Sequence, residues 1–203
     1  MRTFAAAALV LLGGCISAPK VPPMEYYVLS DAHARAAASA RRASQPGGVL
    51  LVQPTVASAF YDTQRLVYSR AAGQRGYYQF AAWTERPGRA FAELLSRRLD
   101  APLTTAGVKG DLFLHTRLEE LYHDASAEPG SARISVSAQL VDARGRLVAE
   151  QRFTAIASAG SANATGAVEA ANRAVSEVLD EISAWAGGQR RHAAPAGAIT
   201  SSY

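Results

Sequence analysis

The alternation of apolar and polar positions is clearest in the second half of the chain. Residues 132–142 carry apolar side chains at every second position, which is typical of a strand with one face in the core. Residues 111–124 alternate in the same way. Residues 146–157 follow the turn sequence DARGR, in which Gly145 can adopt a positive φ, and we expect them to return as the partner of the preceding strand.

Shorter strands are predicted in the first half. Residues 25–29 (EYYVL) are strand-like. Residues 47–57 (GGVLLVQPTVA) predict a buried strand that stops near Pro54, because proline cannot donate a hydrogen bond within a sheet. Residues 65–70 and 76–83 flank a glycine-containing turn, which predicts a β-hairpin.

Two helices are predicted from apolar positions that recur at steps of three and four residues. The first lies within residues 86–103, where Pro87 suits the first turn. The second lies within residues 163–186, with Asn163 or Thr165 as its N-terminal cap. Together these elements predict one α+β domain, an antiparallel-rich sheet with the two main helices packed on one face.

The N-terminus has the order of features found in a bacterial lipoprotein leader. Arg2 precedes an apolar segment, residues 4–12, that is too short to span a bilayer. The sequence LGGC follows, and its Cys15 is the only cysteine in the chain. This stretch resembles the bacterial lipobox, in which the cysteine thiol is acylated and its freed amine becomes the first residue. The resemblance implies a signal peptide over residues 1–14 and a membrane anchor at Cys15.

The segments that flank the domain differ from it in composition. Residues 15–24 contain three prolines and predict an extended, lipidated tether. We expect the folded domain over residues 25–186 and a disordered tail over residues 187–203. The alanine-rich residues 31–44 fit either a helix or a mobile loop. Ile16 follows the cysteine where an aspartate would resemble an inner-membrane retention signal, which favours the outer membrane.

The composition allows a core and excludes some partners. With 49% hydrophobic and 19% charged residues among 203, the chain can bury a core and is not a disordered polymer. The formal net charge is +4 without the block of basic residues that nucleic-acid tails carry, so we predict no nucleic-acid partner. A sequence pI near 9.5 allows weak attraction to anionic membranes.

Sequence motifs for catalysis or metal binding are lacking. The four histidines do not form an HxxxH or HExxH pattern, and the chain has no GxSxG elbow and no P-loop. His115 and His123 are eight residues apart without a cysteine beside them. We therefore predict no catalytic residue, metal or cofactor, and do not expect an enzyme.

Aromatic residues concentrate in the predicted hairpin. Six of them fall between residues 61 and 83, and five are candidate contacts for a partner protein or a lipid: Tyr61, Tyr68, Tyr77, Tyr78 and Trp83. Two interpretations stay open, an aromatic core face of the hairpin or an apolar surface for a partner or an acyl chain. A period of two places Tyr77 opposite Tyr78 and on the same side as Trp83.

Basic residues are interleaved with these aromatic residues. They could contact lipid phosphates or an acidic partner, and they are Arg65, Arg70, Arg75, Arg86 and Arg89.

The order of these motifs resembles the ABC-type transport auxiliary lipoprotein family, the PqiC-like proteins. The resemblance covers nearly the whole mature domain. The matching features follow the lipobox and are YYVL (26–29), residues 49–70, residues 77–99 with Trp83 and Pro87, residues 111–124, and a C-terminal helix ending at Trp185.

The resemblance implies a non-enzymatic part of an envelope transport system. Family members accompany MCE-domain proteins, which carry phospholipids or other lipids between membranes, and an ABC transporter at the inner membrane often supplies the energy. The chain would dock the MCE protein at the outer membrane, facing the periplasm, as a homo-oligomer. Two alternatives are a lipoprotein that activates a cell-wall synthase or builds a secretion ring, and a periplasmic hydrolase, for which the sequence offers no nucleophile–base pair.

Overall fold

The three longest strands follow one another in the second half of the chain. The computed structural model describes residues 21–34, 48–104 and 108–193. The predicted signal peptide, Cys15, most of the tether, most of the alanine-rich segment and residues 194–203 lie outside these ranges. The elements are β1 (Glu25–Tyr27), β2 (Leu50–Val52), β3 (Val56–Ala57), β4 (Arg65–Ser69), β5 (Gly76–Trp83), α1 (Pro87–Leu99), β6 (Leu112–Asp124), β7 (Ser131–Asp142), β8 (Leu147–Ser158) and α2 (Ala164–Ala193).

Strand β6 is the centre of a mixed eight-stranded sheet. On one side it continues into the antiparallel series β6–β7–β8, which confirms the predicted long strands. Along its other edge, β2, β3 and β4 pair with it in succession, all parallel. Strand β5 is antiparallel to β4, and β1 adds to β5 in parallel. The chain is therefore a single α+β domain, with its longest pairings antiparallel.

Burial alternates along the long strands as the sequence pattern predicts. In β7, the side chains of Ile134, Val136 and Leu140 are fully buried, while Gln139 is exposed. A register shift in β6 after Leu118 changes the alternation, so that Leu121 and His123 are the buried residues beyond it.

Both helices pack on the same face of the sheet. Helix α1 begins with Pro87 in its first turn and buries Phe91 and Leu95 against the short strands. Helix α2 lies across β7 and β8. Asn163 caps α2, since its Oδ1 atom accepts a hydrogen bond from the Gly166 N–H at 2.9 Å.

Helix α2 is longer than its apolar pattern predicts. Residues 187–193 continue the helix, so their assignment to a disordered tail is wrong. Ala186 is fully buried at the start of this extension, and the Arg190 guanidinium donates to the Gly48 carbonyl at 3.1 Å. A helix that is already nucleated gains one hydrogen bond for each added residue, so polar residues prolong it without an apolar stripe.

A buried arginine fastens the segment after β1 to both helices. Arg98 of α1 forms ion pairs with Asp31 and with Asp180 of α2, and its Nε atom donates to Asp31 at 2.9 Å. Burial by itself would raise the pKa of Asp31. Hydrogen bonds from Arg98 and from the His33 amide outweigh the effect of burial and lower that pKa.

A helix needs about 20 predominantly apolar residues to span a membrane. Within the residues that the structure describes, neither helix is long and apolar enough to cross a bilayer.

Candidate functional site

The aromatic residues of the β4–β5 hairpin lie on two opposite faces of the sheet. Val67 pairs with Tyr77, but Arg65 pairs with Ala82, so β5 contains three more residues than β4 between these pairs. The insertion changes the alternation along β5. Tyr78 and Trp83 both pack against the core under the helices, whereas Tyr77 lies on the open face. The prediction that Tyr77 and Tyr78 oppose each other is confirmed, and the grouping of Trp83 with Tyr77 is wrong.

The five candidate aromatic residues differ in exposure. Trp83 and Tyr61 are buried, with 4% and 8% of their surface exposed. Trp83 belongs to the hydrophobic core and supports the core interpretation. Tyr61 is buried outside that core, where its hydroxyl accepts a hydrogen bond from Nε of Arg75 at 3.1 Å. Tyr68, Tyr77 and Tyr78 are partly exposed and remain accessible to a ligand or a partner.

On the helix face, two tyrosine rings form a cluster with a buried histidine. The Tyr68 and Tyr78 rings meet edge to face, with centroids 5.3 Å apart. The Tyr78 hydroxyl lies 2.8 Å from Nδ1 of His123, and Nε2 of His123 lies 3.2 Å from the Pro129 carbonyl oxygen. A carbonyl oxygen only accepts, so Nε2 carries the proton and Nδ1 accepts from Tyr78. Burial raises the pKa of the Tyr78 hydroxyl, which keeps it a donor.

The loop after β6 is shaped to fit this histidine. Gly130 has a φ of +88°, and a Cβ atom there would lie 2.4 Å from Nε2 of His123. A larger residue would therefore displace the ring. The sequence motifs assigned no role to His123, which is buried, whereas His115 on the same strand is exposed.

Two clefts meet at this cluster. The first, of about 380 Å³, is lined by Tyr68, Arg70, Tyr78 and Glu128 among others. The second, of about 500 Å³, shares Tyr78 and Gln79 with the first and extends to Pro22, Tyr27, Phe80 and Asn163. Together they form a groove that runs from the β4–β5 hairpin to the place where the chain enters the fold.

On the open face, aromatic and guanidinium groups stack on one another. Phe60 and Tyr77 are stacked with centroids 4.8 Å apart, and the Arg65 guanidinium lies 4.4 Å from the Tyr77 ring centroid. Arg75 lies over the Tyr122 ring at 3.9 Å. Phe60 and Tyr122 were not among the candidates. Phe60 could have been included in the aromatic cluster, because it directly precedes Tyr61 in the sequence. For Tyr122, the sequence indicates only an outward position on a strand.

The five candidate arginines fall into two groups. Three pair with carboxylates in the fold: Arg75 with Glu120, Arg86 with Asp62, and Arg89 with Glu85 and Glu93. Arg65 and Arg70 instead lie over tyrosine rings, and in the described ranges no carboxylate pairs with either guanidinium. These two exposed cations are therefore the ones that can bind an anionic group.

A metal site needs several ligating side chains close together. Across residues 21–34, 48–104 and 108–193, no three His, Cys, Asp or Glu side chains are placed to hold a metal ion. The chemistry offered by the hairpin is that of ring stacking, tyrosine hydroxyls and two guanidinium groups.

A family of known proteins matches most of the chain. Residues 27–183 match the model of the ABC-type transport auxiliary lipoprotein component family. The chain belongs to this family. This transport auxiliary lipoprotein is therefore a lipid-anchored accessory component of an ABC-type transport system. Among proteins with curated descriptions, none matches the chain.

Solved structures of similar fold support the architecture of this lipoprotein. Protein XCC0632 from Xanthomonas campestris, assigned to family DUF330, is 18% identical with a TM-score of 0.71, and the match covers 83% of this chain and 97% of that one. A second structure, of an uncharacterized protein, is 13% identical with a TM-score of 0.64, and the match covers 81% of this chain and 99% of that one. At these identities the likeness shows the fold alone.

Removing the Tyr78 hydroxyl tests the hydrogen bonds that fix the cluster in this lipoprotein. In Tyr78→Phe, buried Nδ1 of His123 loses its donor, and we expect the free energy of unfolding to fall by about 1–3 kcal/mol. Tyr68→Phe is the matched control, because the Tyr68 ring packs in the same cluster without a hydrogen bond from its hydroxyl to the described residues. It should change stability by less than about 0.5 kcal/mol in urea denaturation. Equal losses in both variants would contradict the assigned proton positions.

Proposed function

We propose that the protein is a periplasmic auxiliary subunit of an MCE/ABC-type system that moves lipids between membranes, and that it docks the MCE component at the outer membrane. Family membership over residues 27–183 is the observation that carries the proposal. Cys15 is the only cysteine available for a lipoprotein anchor, and it lies at the acylated position of a lipobox. Ile16, in place of an aspartate, supports the outer membrane.

The partner-contact residues of this proposal are the accessible ones on both faces of the hairpin, here together called the hairpin surface. Tyr68, Tyr78 and Arg70 lie on the helix face, and Tyr77 and Arg65 lie on the open face. Tyrosine and arginine are the residue types that most often contribute binding energy at protein interfaces. Two guanidinium groups without carboxylate partners suit an acidic partner or a phosphate. The first cleft, lined by Tyr68, Arg70 and Tyr78, also suits a phospholipid. Its acyl chain would lie against the tyrosine rings and its phosphate near Arg70. We expect the subunit to act as a homo-oligomer.

Site-specific cross-linking in intact cells tests the docking role. A photoreactive amino acid replaces Tyr77 on the hairpin surface, with an affinity tag after Tyr203, and the captured protein is identified by mass spectrometry. The matched control places the same amino acid at Ile156, which is exposed on β8 at the opposite edge of the sheet. We expect an MCE-domain protein to be captured from position 77 and not from position 156.

Other captured proteins would replace the proposal. A cell-wall synthase at position 77 would support the activator alternative. Capture of only further copies of this chain, without an MCE protein, would support a secretion ring.

A further inference from the structure

Apolar side chains are exposed to solvent where the chain enters the fold. Four of them lie within eight residues, here called the N-terminal strip: Val21, Met24, Tyr26 and Val28, which are 72%, 47%, 66% and 62% exposed. Such a concentration of apolar surface in one short segment is typical of an interaction site.

The strip occupies one side of the segment that contains β1. Tyr27 packs against the core and Leu29 is buried within it, so the residues that alternate with them point to the opposite side. These residues are Met24, Tyr26 and Val28. These three residues of the strip therefore lie on the face of the sheet that the helices leave open.

The edge position of β1 leaves this side accessible. In the described residues β1 pairs with β5 alone, as the first strand of the sheet. Tyr26 pairs with Ala82, and Ala82 with Arg65 on the next strand, which places the Arg65 side chain on the same face as the strip. Arg65 has no carboxylate partner in the described residues and lies over the Tyr77 ring. A basic group thus borders the apolar strip.

The anchor position limits how far the strip can be from a membrane. Val21 follows Cys15 by six positions, with five residues between them. At roughly 3.5 Å per fully extended position, their Cα atoms are at most about 21 Å apart. An acyl anchor at Cys15 therefore keeps the strip close to the lipid headgroups. Because the strip is tethered, its effective concentration at the membrane surface is high.

We propose that the N-terminal strip inserts into the interfacial region of the phospholipid membrane that holds the anchor, as a second contact besides the acyl chains; this proposal rests on the proposed acylation of Cys15. Tyrosine, the residue at position 26, is enriched at the membrane–water interface, because its ring is apolar and its hydroxyl remains hydrated. Arg65 faces anionic headgroups beside the strip. The domain then stands with its β1 edge on the membrane.

Fluorescence quenching of the full acylated protein tests the contact. The protein is reconstituted in phosphatidylethanolamine–phosphatidylglycerol vesicles, with or without brominated acyl chains that quench tryptophan at short range. Tyr26→Trp places a probe in the strip. Ile156→Trp is the control on β8, which is 56% exposed and lies five strand spacings away, about 24 Å at roughly 4.8 Å each. The wild-type signal of Trp83 and Trp185 is subtracted from both.

We expect brominated lipids to quench the Tyr26→Trp emission at least about twofold and to leave the Ile156→Trp emission unchanged. Vesicle flotation, measured on the same samples, reports the anchor separately. Protein that floats with the vesicles while Tyr26→Trp is not quenched would overturn the strip contact and leave the anchor intact. Equal quenching at both positions would overturn the proposed orientation. Protein that does not float would show instead that the proposed acylation of Cys15 had failed.

Discussion

Replacing Cys15 by serine is expected to move the mature protein from the membrane fraction to the soluble periplasmic fraction. Each buried CH₂ of an acyl chain contributes about 0.8 kcal/mol to membrane binding, and two or more chains give stable attachment. Without the acyl chains, only weak contacts between the protein and the membrane remain. We expect the ratio of membrane-bound to soluble protein to fall at least about 100-fold.

The measurement has to separate the anchor from an uncleaved leader. In the test variant a conventional secretory signal therefore replaces residues 1–14, so that a different peptidase removes it, and the fractions are separated without detergent. Ser17→Ala, with the native leader and cysteine, is the control and should stay in the membrane fraction. Circular dichroism should show the same fold for the released protein, because the described domain begins beyond Cys15. Cleaved Cys15→Ser protein that stays with the membrane would contradict anchoring through this residue.

The long strands could be predicted from the sequence because their burial obeys a local rule. In β7, each second side chain points into the core, so the apolar pattern of residues 132–142 gives both the strand and its buried face. The same rule holds in β6 up to the register shift after Leu118. Helix α1 could be predicted for a similar reason. Its apolar side follows the helical period, and Pro87 lies in its first turn.

The candidate site was only partly predictable, because its arrangement depends on pairing between strands. A period of two along β5 places Trp83 with Tyr77, but the three extra residues between the paired positions move Trp83 to the helix face. Nothing within residues 76–83 marks this insertion. The position of the aromatic cluster could be predicted from the sequence, whereas the division into buried and accessible rings depends on the partner strand.

Contacts between distant residues were also outside the reach of the sequence pattern. Asp31 lies in a segment that the composition allows to be either a helix or a loop. Its partner Arg98 is 67 positions away, on a helix whose sequence does not indicate a buried charge. A charged residue near the end of a helix predicts a solvated side chain and not a buried one. Only the packing of the two helices shows that this arginine is enclosed.

Replacing Arg98 by methionine is expected to lower the free energy of unfolding by about 3–5 kcal/mol, a large part of the stability of a domain of this size. The Arg98 side chain is 2% exposed, and the side chain of its partner Asp31 is 7% exposed. Methionine fills the space of the arginine stem but leaves the Asp31 carboxylate buried without a cation. Urea denaturation followed by circular dichroism measures the loss. Arg97→Ala is the control, because Arg97 is 71% exposed and pairs with Glu93 at the surface, and it should cost less than about 0.5 kcal/mol.

The pH dependence of this loss distinguishes a buried charge from lost packing. The pKa of Asp31 in the wild-type fold lies below its ordinary value of 3.8, so its ionised form stabilises the fold above that pH, and this contribution is lost as the pH falls through the lowered pKa. In Arg98→Met the pKa of Asp31 should instead rise, since burial then acts without the guanidinium. The stability difference between wild type and variant should therefore begin to shrink as the pH falls towards 3.8, because the variant fold takes up a proton at Asp31 first, and should shrink further below 3.8 as the wild type loses its ion pair. The double variant Arg98→Met/Asp31→Asn should recover part of the loss at neutral pH, because it removes the unpaired charge. A loss that is constant with pH and is not reduced by Asp31→Asn would assign Arg98 a packing role alone.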